Sequence, residues 1–384
     1  MEFTEEQMML RSTVSRFARE HVAPIAAEID NHERFPEETF KKMAALGLLG
    51  IGIPEEYDGS GGGIVEACIV AEELARYCAS TAASWGAHVD LCAANINRNG
   101  SPEQKTRFLP DLASGRKLGG MAMTEPEAGS DVLAMTLRAE EKGDHFILNG
   151  AKTFITNGPV GDLFLVYATN DPKKKGRGIT AFVIEKGFDG FKIGRQFEKL
   201  GWRGSPTGEL IFEDCRVPKE NVIGKVGGGV QILLSGLNSE RLVLSAECLG
   251  IARACLEESM KYARERVQFG RPISEFQMVS EKLARMAVKV EAVRTMIWSQ
   301  AFRMVKEGPA AMTFETACTK LMASETALEN ALDGTQIFGG YGYTREFPIE
   351  RYLRDARLMT IGGGTTEIML NLVFRESEER LKKR

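Results

Sequence analysis

The sequence predicts a multidomain α+β protein, helical at both ends with a compact β domain between them. Three observations carry that prediction. Helical patterning, broken by Gly and Pro, extends to about residue 118. Short alternating or β-branched runs, separated by Asn-Gly, Asp-Pro and Gly-rich turns, fill 140–218. After Gly227, Gly228 and Gly229 the helical period returns and persists. The expected domains are 1–118, 119–224 and 225–384, and 384 residues are enough for two or three separate cores.

The first element opens at Thr4-Glu5-Glu6-Gln7, which has the form of a capping box. Met8, Met9, Val14, Phe17 and Ala18 then recur at helical spacing, and this helix is expected to end before Pro24. Pro36, with its fixed φ, suits the first turn of a second helix running to Gly47. A glycine-rich loop at 59–63 separates it from a third helix over 64–77. In the middle, FILNG (146–150), FLVYAT (164–169), ITAFVIE (179–185) and ELIFEDCRV (209–217) read as strands. Near the other end Leu283, Met286, Val290, Val293 and Ile297 step by three and four. That spacing points one apolar stripe at a neighbouring helix and implies a bundle.

Composition excludes several classes. A net charge of -4 gives no concentrated basic surface for phosphates, so no nucleic-acid partner is expected. The short run Lys173–Lys175 with Arg177 reads as a solvated loop. No apolar stretch of about 18 residues is present, and the start, MEFTEEQ, is acidic rather than leader-like; a cytoplasmic protein without a membrane span is expected. Seven cysteines without CxxC spacing read as reduced core residues, and His21, His32, His88 and His145 form no HExxH pair, so no metal is expected.

Chemistry concentrates in three stretches. Residues 121–131, MAMTEPEAGSD, turn sharply at Pro126 and then present Gly129 and Ser130, as in a ligand-facing loop or an ordinary surface turn. Residues 152–158, KTFITNG, place Phe154 two positions before Thr156, and IGGGTTE at 361–367 puts two hydroxyls after three glycines. Together, and in this order and spacing, they resemble the acyl-CoA dehydrogenase family over essentially the whole chain. The resemblance implies a helical domain, a β-barrel-like middle domain and a four-helix bundle, usually assembled as a homotetramer. It also implies FAD as cofactor, an acyl-CoA substrate and an electron-transferring flavoprotein as electron acceptor. Neither GxGxxG after a strand nor GxxxxGK[ST] is present, so the flavin site is of another kind.

By resemblance, Met123 and Thr124 lie along the isoalloxazine, Gly129 and Ser130 face flavin or thioester, and Phe154 and Thr156 cover and hydrogen-bond the ring. Many relatives have Trp where this chain has Phe154, which offers an apolar face without an indole donor. Arg266, Gln268, Phe269 and Gln277 are implied to meet the pyrophosphate and adenosine from a partner chain. Gln336, Gly339 and Gly340 would close that loop, and Thr365 and Glu367 would add cofactor contacts.

Oxidation at Cα and Cβ needs a carboxylate to take the α-proton. Many relatives carry it in the glycine-rich loop, where this chain has Gly363. A branch resembling isovaleryl-CoA and long-chain dehydrogenases carries it on a helix, here Leu237-Asn238-Ser239-Glu240-Arg241, which makes Glu240 the expected base. The same resemblance assigns Asn238, Arg241 and Gly362 to the substrate and gives the Gly363 N–H to the thioester oxygen. Gly362 and Gly363 leave room for a branched or ring-shaped acyl group. Asp90, among Val89, Leu91 and Cys92, is costly to bury ionised. It is either an N–H acceptor at a helix junction or a second base, one that would remove a γ-proton from a cyclic enoyl thioester in a 1,4-elimination. An oxidase with the same first half-reaction, and a non-catalytic thioester-binding scaffold, are the competing readings of the whole.

Overall fold

The computed structural model describes residues 2–382 and divides into helical, sheet and helical parts in chain order. The first helix, α1 (Glu5–Phe17), is capped as expected, with the Thr4 hydroxyl and Gln7 side chain bonded reciprocally to backbone N–H groups. Its stripe differs from the sequence reading. Val14, Phe17 and Ala18 are buried, whereas Met8 and Met9 are exposed, because only one face of α1 meets the next layer. The α-helix stops before Pro24, but a π turn (Ala18–Val22) and a 3-10 turn holding Pro24 carry the chain on into α2 (Ala26–His32). Pro36 caps α3 (Glu37–Ala45) from outside rather than occupying its first turn.

The core of this part is α4 (Ile64–Ala75). A continuous helical segment follows: α5 (Ala79–Gly86), a π turn (Ala87–Ala93) and α6 (Ala94–Asn99). Ser101 then opens α7 (Pro102–Ala113) with a second capping box.

Strands β1 (Gly119–Ala122), β2 (Arg138–Lys142), β3 (His145–Thr156), β4 (Leu163–Thr169), β5 (Ile179–Glu185), β6 (Phe191–Gln196), β7 (Thr207–Pro218) and β8 (Val222–Ile223) form one eight-stranded sheet. Its order is β6-β7-β3-β2-β4-β5-β8, with β1 parallel to β4. Alternation explains how it packs. On β4, Phe164, Val166 and Ala168 join an aromatic core with Phe146, Phe182 and Phe212. Leu163, Leu165 and Tyr167 face Phe108 and Leu112 of α7. The sheet thus wraps one core and docks against helices on its other face.

Two buried side chains fix the junction between these parts. His88 accepts from Gly119 N at Nδ1 (2.9 Å) and donates from Nε2 to Leu112 O (3.1 Å). Asn157 donates to Ser84 O (2.9 Å) and Gly119 O (3.0 Å). Burial pushes the His88 imidazole down to about 4, so the neutral tautomer that serves both bonds persists at neutral pH.

The C-terminal part is organised on α8 (Gly229–Glu265), a 37-residue helix about 55 Å long at 1.5 Å per residue. Around it lie a hairpin, β9 (Val267–Gln268) and β10 (Arg271–Pro272), and helices α9 (Gln277–Glu307), α10 (Thr313–Phe338), α11 (Ile349–Met359) and α12 (Thr366–Lys382). The stripe Leu283 to Ile297 is buried as the periodicity predicts. All seven cysteines are unpaired. Among the described residues no helix is long and apolar enough to cross a membrane.

Helix α8 also crosses α4 at close range. Arg253 bonds Glu72 and Glu73, and a Cβ placed on Gly250 would lie 2.4 Å from Glu72 O. Gly250→Ala should therefore separate the two helices, with a loss of about 1–3 kcal/mol typical of overpacking. Thermal denaturation of the holoprotein checks this, the variant melting lower.

Candidate active site

The loop after β1 is tied to β3 by a buried ion pair. Lys152, with no exposed surface, donates to Met123 O (2.9 Å) and Glu125 Oε1 (2.8 Å). Glu125 also accepts from Thr136 Oγ1 and Leu137 N, both at 2.9 Å, so its carboxylate gathers both ends of the 125–137 loop. Burial opposes the charge on Glu125, but the Lys152 ammonium and these donors hold its carboxyl below the usual range. Thr153 N donates to Thr124 O (2.9 Å), which sets Met123 and Thr124 beside the end of β3.

There the register between β3 and β7 slips, between Lys152 and Ile155. Phe154 sits in this bulge with φ 58°, a left-handed backbone costing about 1 kcal/mol or more in a non-glycine residue. The bulge aims the ring outward: it is 63% exposed and lies tilted by 36° against Phe197, 4.9 Å between centroids. Met123, Thr124, Phe154 and half-buried Thr156 thus border a shelf with an aromatic face, a hydroxyl and backbone groups, which suits a flat ring system with polar edges. Gly129 and Ser130 lie exposed at the turn of the loop. The residues present fit a flavin.

The expected base lies in a seam between α8 and the α5–α6 segment. Glu240 is 8% exposed, and its Oε1 accepts from Asn95 Nδ2 at 2.8 Å. Asn95 Oδ1 in turn accepts from the guanidinium of solvent-exposed Arg98 (3.3 Å). Gly236, one turn before Glu240, makes the room: a Cβ there would lie 2.3 Å from Glu240 Oε1 and 2.5 Å from Arg98 Nη1. Asp90 faces Glu240 from the π turn. It is 7% exposed, and no hydrogen bond steadies its charge. The junction-acceptor reading therefore has no donor among the described residues.

Burial pushes both carboxyls above the usual carboxylate range. For Glu240 the Asn95 amide and the charges of Arg98 and Arg241 oppose that rise. For Asp90 the charge on Glu240 adds to it, and only Arg98 opposes. Their environments differ in that Glu240 has an amide donor for its ionised form and Asp90 has none, while each carboxyl's charge disfavours ionisation of the other.

Seven residues along α8, Glu247 presents a third carboxyl on the same face. A Cβ on Gly86 would lie 2.9 Å from its Oε1, and its Oε2 has no partner. Burial, helped by the Asp90 charge, raises Glu247 well above its ordinary value.

The glycine loop 362–364 packs on α8 one turn beyond Glu240. Gly363 has φ 66°, and a Cβ there would lie 2.6 Å from Leu244 Cδ2, so a side chain at this position meets both strain and an occupied volume. Arg241 Nε donates to Gly363 O (3.2 Å), and buried Lys320 donates from Nζ to Gly364 O (2.5 Å). Arg241 therefore touches the glycine loop. Asn238 donates to Pro309 O (3.0 Å) and Thr313 Oγ1 (3.1 Å), which turns its amide toward that corner.

Of the remaining positions, Arg266, Gln268, Gly339 and Gly340 line one cleft of about 510 Å³ with Tyr262, Phe338 and Tyr341. The Arg266 guanidinium lies 5.8 Å from the Tyr341 ring centroid. Phe269 (φ 52°) projects from the β9–β10 hairpin, 94% exposed, while Gln277 and Gln336 are exposed on helix surfaces outside this cleft. Thr365 caps α12 by accepting from Ile368 N (3.3 Å), and Glu367 is exposed on its first turn. Sequence reasoning missed Asn95, Arg98, Gly236, Glu247 and Lys320. The usable signal was Asp90, Asn95 and Arg98 sharing one helical segment.

Family models for the N-terminal, middle and C-terminal domains of acyl-CoA dehydrogenases match residues 4–116, 120–215 and 227–377, and the chain belongs to this family. It is an FAD-dependent oxidoreductase acting on acyl-CoA thioesters. It is 46% identical over 369 residues to the mitochondrial isovaleryl-CoA dehydrogenase of Pongo abelii, covering 95% of this chain and 87% of that one. Butyryl-CoA dehydrogenase of Megasphaera elsdenii shares the fold with a TM-score of 0.94 at 37% identity, over 98% of this chain and 99% of the other. A chain in a structure described as the electron transferring flavoprotein of Acidaminococcus fermentans matches with a TM-score of 0.95 at 40% identity over 98% of each.

The raised Glu247 carboxyl carries a stability consequence. Stability from burying it neutral is complete below the unfolded value of about 4.3 and is lost as pH rises toward its folded value, by up to about 1.4 kcal/mol per unit. Glu247→Gln should match the wild type near pH 4 and melt higher near pH 7.5. A melting-temperature difference independent of pH would contradict this.

Proposed function

We propose that the enzyme converts a short branched or alicyclic acyl-CoA to its α,β-enoyl-CoA, with Glu240 as the base. The observation that carries this reading is the Glu240 carboxylate, buried beside the glycine loop with Asn95 donating to it. Burial raises its basicity toward the working pH, while the Asn95 amide keeps the ionised form accessible. Glu240 takes the α-proton as the Cα–H electrons form the new double bond and hydride departs from Cβ. Bound FAD supplies the hydride acceptor, N5. The Gly363 N–H donates to the thioester oxygen as negative charge grows there, and such a donor is worth about 2.7–4 kcal/mol. Ser130 and Gly362 border the thioester, and Arg241 holds the Gly363 carbonyl so that the loop keeps its aim.

Met123, Thr124, Gly129, Phe154 and Thr156 are assigned to the flavin ring. The cleft of Arg266, Gln268, Gly339 and Gly340 suits the pyrophosphate and adenosine, Arg266 through its forked donors. Phe269, exposed at the hairpin tip, together with Gln277, Gln336, Thr365 and Glu367, is assigned to cofactor contacts completed across a homotetramer. Electrons then pass to an electron-transferring flavoprotein. The relatives named above as isovaleryl- and butyryl-CoA dehydrogenases support a short acyl group.

A second reading has its own observation. Asp90 is buried without a hydrogen bond in a π turn, a distortion frequent at functional sites, and it faces Glu240. As a base it would remove a γ-proton from a cyclohex-1-ene-1-carboxyl-CoA type of substrate, with hydride leaving a more distant carbon and a conjugated diene formed.

Anaerobic bleaching of the bound flavin by isovaleryl-CoA, cyclohexanecarboxyl-CoA and cyclohex-1-ene-1-carboxyl-CoA tests both. Glu240→Gln should retain flavin and slow reduction by saturated thioesters about 10²–10⁴-fold; unchanged reduction refutes the assignment. Asp90→Asn should spare the saturated thioesters. Loss of reduction by the cyclic enoyl thioester alone in that variant would establish the second reading instead.

A further inference from the structure

Lys320 lies on α10 with no exposed surface. Among the described residues neither it nor Arg241 forms an ion pair with a carboxylate. Both donate to consecutive carbonyls of the same loop, Arg241 to Gly363 O and Lys320 to Gly364 O. The loop they hold has left-handed backbone at both glycines, φ 66° and 105°, and no side chains to anchor it. A neutral donor would suffice to pin a carbonyl, and an unpaired buried ammonium is costly. Burial, with the Arg241 charge adding to it, lowers the Lys320 pKa from its ordinary value; a charge kept here against that pull is accounted for if it offsets negative charge that forms nearby during the reaction.

We propose that Lys320 is a positioning residue for the dehydrogenation. It fixes the 362–364 loop and, together with Arg241, maintains a positive potential behind the Gly363 N–H that favours the enolate form of the bound thioester. Cation-held carbonyls polarise the peptides of the loop in the same sense. The groups facing Lys320 are Arg241 and Cys248 of α8. Burial pushes the Cys248 thiol up to about 12, so it carries no charge at working pH; of the carboxyls on α8, Glu247 acts on Cys248 and Glu240 on Arg241. The inference rests on the assignment of the Gly363 N–H to the thioester oxygen.

The test is a pH titration of the holoenzyme with bound acetoacetyl-CoA, the enolate being read by difference absorbance. In the wild type the bound ligand should ionise at lower pH than the free ligand. Lys320→Met should raise that midpoint by about one unit, a tenfold weaker preference for the enolate. Lys320→Arg, which keeps the charge, should restore most of the difference. An unchanged midpoint in Lys320→Met, with only the melting temperature lowered, overturns the proposal and leaves the lysine as a structural pin. Should the methionine variant lose FAD, Lys320→Gln against Lys320→Arg reads the same quantity, and equal midpoints in that pair overturn it equally. A wild-type midpoint equal to that of the free ligand overturns the Gly363 assignment beneath it.

Discussion

A carboxylate kept out of water yet still able to ionise is the constraint from which the rest of the site follows. Glu240 can be buried only if its neighbour one turn earlier is Gly236 and if an amide from the opposite helix meets its oxygen. That amide, Asn95, belongs to the segment whose π turn presents Asp90. The segment in turn is fixed to the sheet by His88 and Asn157. This one carboxylate thus draws on contacts from all three parts of the chain.

The same helix also shapes the glycine loop. A side chain at 363 would have to displace the end of Leu244, and the backbone there is left-handed. The loop gives up side-chain chemistry and keeps backbone donors, which are useful only if held still. Arg241 and Lys320 hold them from beneath. Lys152 and Glu125 hold the loop after β1 in a comparable way. In both loops a buried cation on a regular element donates to a backbone carbonyl.

Much of this was legible in the sequence, and the parts that were not share a cause. Capping at Thr4, the strand runs and the Leu283–Ile297 stripe are local patterns, and each appears as read. Glu240 and the glycine loop were singled out through motif resemblance, and the structure brings them to the same helix, α8. Met8 and Met9 misled because periodicity shows an apolar face without showing how wide its partner is. The π turn at Asp90 has no sequence signature, and Asn95, Gly236, Glu247 and Lys320 acquire meaning only through partners on other elements. Phe154 is assigned to the ring by resemblance alone, and its left-handed backbone and outward aim come from a bulge opposite β7 that its own neighbours do not announce.

The pH dependence of single-turnover flavin reduction by isovaleryl-CoA tests the central claim most directly. If Glu240 is a buried base, the rate should rise with pH through a midpoint above the ordinary carboxylate range, and that rise should vanish in Glu240→Gln, leaving a slow, flat profile. A wild-type midpoint at an ordinary carboxylate value, or the same rising profile in Glu240→Gln, would contradict the account.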